Sequence, residues 1–298
     1  MATQDSQTDQ RAQRIGLLAG WGRYPILVAE ALKRQGYDVC CLGVKDHADP
    51  VLAEICDDFA WLGLAKLGQA VRFFRQHEVH HATMAGKIHK VRLYQPWLWA
   101  KHLPDWAMIK TFYPHFITRS KDRCDDTLLG AIVDAFARQG ILFGPATDYA
   151  PELLVESGRL AGARPNRAEQ KDIEFGWQMA KKMGGLDIGQ SVCIKDQAVL
   201  AVEAIEGTDA CIRRAGQLCA AGGFTVVKVA KPQQDMRFDV PTIGLGTLET
   251  LVSAGGRVLA IEARRTILLD EPKVLAFAER HKITVVALEA QNAGRMAA

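Results

Sequence analysis

Asp235, Arg237 and Asp239 occupy alternate positions in the segment Pro232-Gln233-Gln234-Asp235-Met236-Arg237-Phe238-Asp239-Val240-Pro241. In an extended chain that spacing sends two carboxylates and one guanidinium to the same face, because side chains alternate along a strand. Hard oxygen donors of this kind suit Mg²⁺ or another divalent cation, which takes carboxylates together with substrate phosphate oxygens and keeps several waters. Arg237 is suited to grip a phosphate bidentately, and Lys231, just before the segment, adds positive potential. The same residues would also make a solvated loop closed by an internal ion pair.

Three further groupings bear on anion chemistry. Gly20-Trp21-Gly22-Arg23-Tyr24-Pro25 follows an apolar run and precedes a helical period, so its glycines could bring backbone N–H groups to a nucleotide phosphate at a helix N-terminus. The dinucleotide fingerprint wants a third glycine where Pro25 stands, and a ribose-binding acid about twenty residues on, whereas the first acid past the second strand is Asp46. Glu203-Ala204-Ile205-Glu206-Gly207-Thr208-Asp209 places Thr208 and Asp209 at another helix start, as caps or as neighbours of a bound anion. Asp125-Asp126-Thr127 invites the same two readings. The stretch 94–113 holds Trp97, Trp99 and Trp106 beside Tyr94, Phe112 and Tyr113, with Lys87, Lys90, Arg92, Lys110, Arg119, Lys121 and Arg123 around it. Rings flanked by cations suit an acyl chain with an anionic head, a membrane surface, or a packed helical hairpin.

The whole sequence narrows the classes. It has 298 residues, 48% hydrophobic and 24% charged, so it must bury a core, and the length suggests two domains. A net charge of +3 is too mild for a duplex-binding surface, and nucleic acid is not an expected partner. Seven scattered cysteines without a C-x-x-C pair indicate neither a disulfide framework nor a thiolate zinc site, and fit a reducing cytosol. No apolar run reaches the ~20 residues of a membrane span. No H-E-x-x-H, G-x-S-x-G or Walker loop is present.

The elements that must position these residues follow from periodicity. After a polar lead-in over 1–13, read as disordered, a strand at 15–19, the glycine turn, a helix at 26–34 and a strand at 38–44 make a βαβ unit with parallel strands. Strands at 58–62, 80–85 and 141–144 and helices at 67–77 and 126–139 continue the alternation. These predict an N-terminal Rossmann-like, doubly wound parallel sheet over 14–148. A Pro- and Gly-bearing connection is expected over 149–167. A second α/β domain over 168–290 is predicted from helices at 168–182, 208–221, 247–254 and 272–281, a hairpin at 191–194 and 198–205, and strands at 225–230, 257–263 and 284–288. Ligand is expected in the cleft between the domains or at the carboxyl ends of strands.

Taken together, Gly20-x-Gly22-x-x-Pro25, Asp125-Asp126-Thr127-Leu128-Leu129, Asp187-Ile188-Gly189-Gln190-Ser191-Val192, 201–209 and 228–244 resemble the UDP-2,3-diacylglucosamine pyrophosphohydrolases of the LpxI type, from lipid A biosynthesis, over nearly all of 14–290. Tyr24, Cys124 and the segment 88–91 depart from the usual family pattern. The resemblance implies a two-domain cytoplasmic enzyme, peripheral to the inner membrane. It implies a divalent cation, Mg²⁺ or another, and cleavage of the nucleotide-sugar pyrophosphate to UMP and the lipid product 2,3-diacylglucosamine 1-phosphate. By the same resemblance Asp235, and after it Asp239, binds the metal or activates water, with Asp126 a further candidate ligand; Arg237, with Lys231, is expected to add positive potential in catalysis. Gly20, Gly22, Arg23, Pro25, Lys87, Asp125, Asp126, Thr208, Asp209, Lys231 and Gln234 would bind substrate. A homodimer is left open. The other classes in play are an NAD(P)-dependent oxidoreductase on the first βαβ unit and a non-catalytic nucleotide-sugar-binding protein.

Overall fold

In the computed structural model, residues 13–88, 104–116, 125–237 and 239–289 are described. The lead-in over 1–12, residues 89–103 with Lys90, Arg92, Tyr94, Trp97 and Trp99, residues 117–124 with Arg119, Lys121, Arg123 and Cys124, and Phe238 lie outside them. The chain divides into two compact units, Met1–Ala150 and Pro151–Ala298.

The first unit alternates β1 (Arg14–Ala19), α1 (Tyr24–Arg34), β2 (Asp38–Val44), α2 (Leu52–Ile55), β3 (Asp58–Leu62), α3 (Leu67–Gln76) and β4 (His81–Ala85). It continues through α4 (Trp106–Phe116), α5 (Asp125–Ala137), β5 (Leu142–Phe143) and α6 (Ala146–Tyr149). The strands form a parallel sheet in the order β3-β2-β1-β4-β5. β2 is buried from Val39 to Val44, as expected of a parallel strand covered on both faces. The chain winds outward from β1 to β3 and then crosses back to β4, so strand order reverses between β1 and β4. In open parallel sheets the carboxyl ends at such a reversal form the ligand crevice.

The second unit comprises β6 (Gly158–Ala161), α7 (Arg167–Gly185), β7 (Ser191–Lys195), β8 (Ala198–Val202), α8 (Thr208–Leu218), β9 (Thr225–Lys228), β10 (Thr242–Ile243) and α9 (Leu245–Ser253). β11 (Val258–Glu262), β12 (Ile267–Leu268), α10 (Glu271–Arg280) and β13 (Thr284–Leu288) complete it. The main sheet runs β6-β13-β11-β9-β7-β8. β9, β11 and β13 are parallel, while β6, β7 and β8 pair antiparallel with their neighbours. β6 falls inside 149–167, read from sequence as a connection: Gly158 and Gly162 break the pattern, yet the four residues between Ser157 and Gly162 extend the sheet beside β13. Alternate side chains separate the core. Val192, Ile194, Val227, Val258 and Ala260 face Ile173, Trp177 and Ala180 of α7. Cys193, Val226, Leu259 and Ile261 face α8, α9 and α10.

α7 starts where it does because Asn166 accepts from the Ala168 and Glu169 N–H groups while Glu169 accepts from the Asn166 N–H. Gly176 lets α7 settle on β9: a Cβ there would stand 2.7 Å from Val227 Cγ2. Among the described residues, no helix is long and apolar enough to cross a membrane.

Candidate active site

The carboxyl edge of the second sheet gathers most of the polar residues singled out from sequence. Parallel β9 and β11 end there on Lys228 and Glu262. Antiparallel β7 begins there, with Ser191 in register with Lys228, and β8 ends there on Val202. The acidic segment leaves β9 at this edge.

That segment is not extended. Turns at 232–233 and 236–237 fold it back, and the Asp239 N–H donates to Asp235 O at 3.1 Å. The flanking prolines and the affinity of Asp235 for its near neighbours favour local hydrogen bonds over a ladder. Asp235 and Asp239 therefore do not share a strand face with Arg237. Instead Arg237 closes on Asp235: Nε lies 2.9 Å from Oδ1 and 3.1 Å from Oδ2, Nη2 lies 2.6 Å from Oδ2, and the Arg237 N–H donates to Oδ1 at 3.0 Å. The guanidinium is the largest influence on the Asp235 carboxyl and holds it below its ordinary range, against the opposing effect of partial burial. Gln234 donates through Nε2 to Asp239 O at 2.6 Å and to Asp239 Oδ2, and its Oε1 accepts from the Lys231 N–H at 2.8 Å. Lys231 Nζ lies 2.6 Å from Asp187 Oδ1. Lys231 and Gln234 thus shape the loop.

What fixes the loop to the sheet was not singled out from sequence. Glu262, only 3% exposed, accepts from the Ala230 N–H at 2.7 Å through Oε2. Lys181 Nζ donates to both Glu262 oxygens, at 2.8 and 2.7 Å, and to Ala230 O at 2.9 Å. The peptide groups of Ala230, five residues before Asp235, are held on both sides by a partly buried ion pair. An acid ending the otherwise apolar run Val258-Leu259-Ala260-Ile261 was the available signal.

Beside it, Lys228 Nζ donates to Thr208 Oγ1 at 2.8 Å and Thr208 donates to Glu203 Oε1 at 2.9 Å. Lys228 and Glu203 are 6% and 8% exposed, and Glu203 Oε2 has no hydrogen-bond partner among the described residues. The α8 cap is Gly207, with φ of 83° and no side-chain cap. Thr208 is therefore not the cap: its hydroxyl joins the lysine–glutamate line. Asp209 accepts from Thr247 Oγ1 at 2.9 Å and ties α8 to α9.

In the first unit, the glycine turn lies at the β1–β4 reversal. Gly20 N–H donates to Ala85 O, and Trp21 and Lys87 exchange both backbone hydrogen bonds. A Cβ on Gly20 would stand 2.9 Å from Lys87 O, and one on Gly86 2.7 Å from Pro25 Cγ. Gly20 thus serves the close approach of two loops and spends its N–H there, contrary to the expected phosphate cradle. Gly22 has φ of 107°, open space where a Cβ would be, and a place just before the Arg23 cap of α1. Pro25 is buried in the first turn, Arg23 lies 3.7 Å from Glu30, and Lys87 is exposed. Asp125 begins α5, but the side chains of Asp125 and Asp126 lie outside the described residues. On α4, Trp106 is 77% exposed, and Ile109 and Tyr113, one and two turns on, are also exposed. Tyr94, Trp97 and Trp99 of the same stretch lie outside the described residues.

The LpxI N-terminal-domain model matches residues 14–153 and the LpxI C-terminal-domain model residues 156–286. The chain belongs to the LpxI family. A relative from Caulobacter vibrioides, named UDP-2,3-diacylglucosamine pyrophosphatase LpxI, is 29% identical over 287 residues, covering 94% of this chain and 99% of its own length. Each of the two LpxI domain matches falls within one compact unit apart from a few residues at the boundary.

Proposed function

We propose that this LpxI-family chain hydrolyses the pyrophosphate of UDP-2,3-diacylglucosamine to UMP and 2,3-diacylglucosamine 1-phosphate, in the presence of a divalent cation. The observation that carries the reading is the Asp235–Arg237 loop, anchored by Glu262 and Lys181 at a strand carboxyl edge, in a chain of which 94% aligns with a relative named for that activity.

Asp235 stays ionised across the physiological range, so it can orient a water through its carboxylate. In the described state its two oxygens accept four contacts from Arg237. The four contacts come from three N–H groups, the Nε–H being shared by both oxygens, so Arg237 occupies most of the carboxylate's about four lone-pair sites until its guanidinium turns onto a phosphate. Substrate and arginine thereby exchange partners: the diphosphate takes Arg237, and Asp235 is released when substrate is present. Lys231 and Lys228 add positive potential where negative charge grows. One water adds across the P–O–P bridge, the bridging P–O bond breaks, and two phosphomonoesters result.

The hard oxygens of Asp235, once released, and of Asp239 fit a cation such as Mg²⁺. Bound there, it would neutralise phosphate charge and polarise the phosphoryl oxygens. The exposed face of Trp106, Ile109 and Tyr113 supports contact with acyl chains or with the inner-membrane surface from the cytoplasmic side.

Purified protein incubated with UDP-2,3-diacylglucosamine and Mg²⁺ is expected to release UMP, and to stop on chelation with EDTA until Mg²⁺ is restored. No UMP from the folded protein would refute the reaction. Undiminished release in EDTA would refute the cation.

A further inference from the structure

The amino ends of the strands in the first sheet lie at the opposite edge from Gly20 and Lys87. There, β2 and β3 pair with Cys40 in register with Asp58, so the two side chains share one face. On the other flank of Cys40 stands Gly16 of β1. A Cβ on Gly16 would meet Val79 Cγ1 at 2.9 Å and Phe74 Cε1 at 3.0 Å. The missing side chain lets α3 lie close on this face, and its C-terminal cap, His77, reaches the Cys40–Asp58 pair. His77 Nδ1 is 3.0 Å and Cys40 Sγ 3.5 Å from Asp58 Oδ2, and one ligand atom from each residue lies within 4.8 Å of the other two.

A tetrahedral ion bonded at ~2.0 Å to nitrogen and oxygen and ~2.3 Å to sulfur sets its ligand atoms roughly 3.3–3.5 Å apart. Two of the three spacings here are already close to that, and the third needs a movement on the order of 1 Å. We propose that Cys40, Asp58 and His77 form a binding site for a divalent transition metal of the Zn²⁺ class, with a fourth position left to water. Sulfur, imidazole and carboxylate together select such an ion over Mg²⁺, which prefers all-oxygen surroundings. The site is thus chemically distinct from the Asp235 loop, in the other unit of the chain.

The neighbours are compatible with an added cation. A cavity of about 870 Å³ opens beside the cluster, lined by Arg14, Asp38, Glu78, His80 and Gln139 among others. Arg14 belongs to both: its Nη1 donates to His77 O at 3.1 Å, fixing the cap, and lies 3.9 Å from Asp58 Oδ2. Asp38, in register with Arg14, and Glu78 balance the two cations of the cavity lining, Arg14 and Arg75. Without a metal, burial and then the Asp58 carboxylate push the Cys40 thiol up to about 12. A bound cation reverses that balance, and the thiol proton leaves to solvent as the metal–sulfur bond forms. The bound ion would pin β2, β3 and the end of α3 together.

The test is a Co²⁺ titration of the chelator-stripped full chain, read by the near-ultraviolet thiolate-to-cobalt charge-transfer band. Wild type is expected to develop the band at one equivalent, and Zn²⁺ to bleach it. Asp235→Asn should titrate like wild type. Cys40→Ser should lose the band, and His77→Asn should weaken binding by more than about tenfold. Zn²⁺ should also raise the thermal midpoint of wild type but not of Cys40→Ser, since only a folded-state ligand stabilises. No band in wild type, or an unchanged band in folded Cys40→Ser, would overturn the site.

Discussion

Replacing Glu262 by glutamine removes one charge from the clamp on Ala230 while keeping its shape. The carboxylate accepts three hydrogen bonds, two from Lys181 Nζ and one from the Ala230 N–H. The amide has a single acceptor oxygen, and whichever way it turns, its NH₂ group faces a donor. Breaking a buried ion pair costs about 3–5 kcal/mol, and losing one charge-assisted hydrogen bond about 1.5–3 kcal/mol. Lys181 is roughly one-quarter exposed and can draw in water, so the loss should fall near the lower range, about 2–3 kcal/mol. For a unit of this size that lowers the thermal midpoint by roughly 5–10 °C. Because the clamp sets the register of the loop bearing Asp235, kcat should fall about tenfold or more while KM moves less, a barrier increase of ~1.4 kcal/mol. Urea melts and steady-state release of UMP read the two effects. The double variant Lys181→Met/Glu262→Met separates them: apolar replacement of the pair restores much of the stability, whereas the Ala230 N–H still lacks its acceptor, so kcat should stay low. A Glu262→Gln protein with wild-type midpoint and wild-type kcat would refute the clamp, and recovery of kcat in the double variant would show that only stability was at stake.

Other consequences follow from the same geometry. Gly22→Ala meets no atom within 4 Å but must hold φ of 107°, so it should destabilise by about 1–2 kcal/mol through backbone strain alone, checked by chemical denaturation. Asp235 has a folded pKa below its unfolded one, so its contribution to stability is complete above the unfolded value and is lost as pH falls through the folded value. Arg237→Gln removes the largest cause of that depression, and the acid limb of the kcat/KM profile should move to higher pH. Trp106→Asp combined with Tyr113→Asp should reduce co-sedimentation with anionic vesicles and leave the melting midpoint nearly unchanged, since both side chains are largely exposed.

Elements with a strong local pattern were legible in the sequence. Asp38–Val44, Asp58–Leu62 and Thr284–Leu288 are apolar runs bounded by turn residues, and each forms a strand over those same residues. β10 and β12, at two residues each, and the four-residue β6 carry too little periodicity to stand out. For the acidic segment, alternation of charge is compatible with both an extended strand and a loop closed by an ion pair, and the loop wins because Asp235 and Gln234 hydrogen-bond to groups within five residues. The pairings in the clamp and the Cys40 cluster are hidden for another reason: Glu262 stands out as an acid ending an apolar run, but its partner Lys181 is 81 residues away, and Cys40 meets His77 only through strand register and the return of α3. Residue types announce chemistry, but strand register decides which of them meet.

The most direct measurement is the rate of UMP release from UDP-2,3-diacylglucosamine by Asp235→Asn, a variant that keeps the shape of the side chain and removes its charge, set against wild type under saturating Mg²⁺. With folding verified by circular dichroism, kcat is expected to fall by about 10²–10⁴-fold, the span of a positioned acid–base group. A variant that turns over at the wild-type rate would contradict the assignment of hydrolysis to the Asp235 loop.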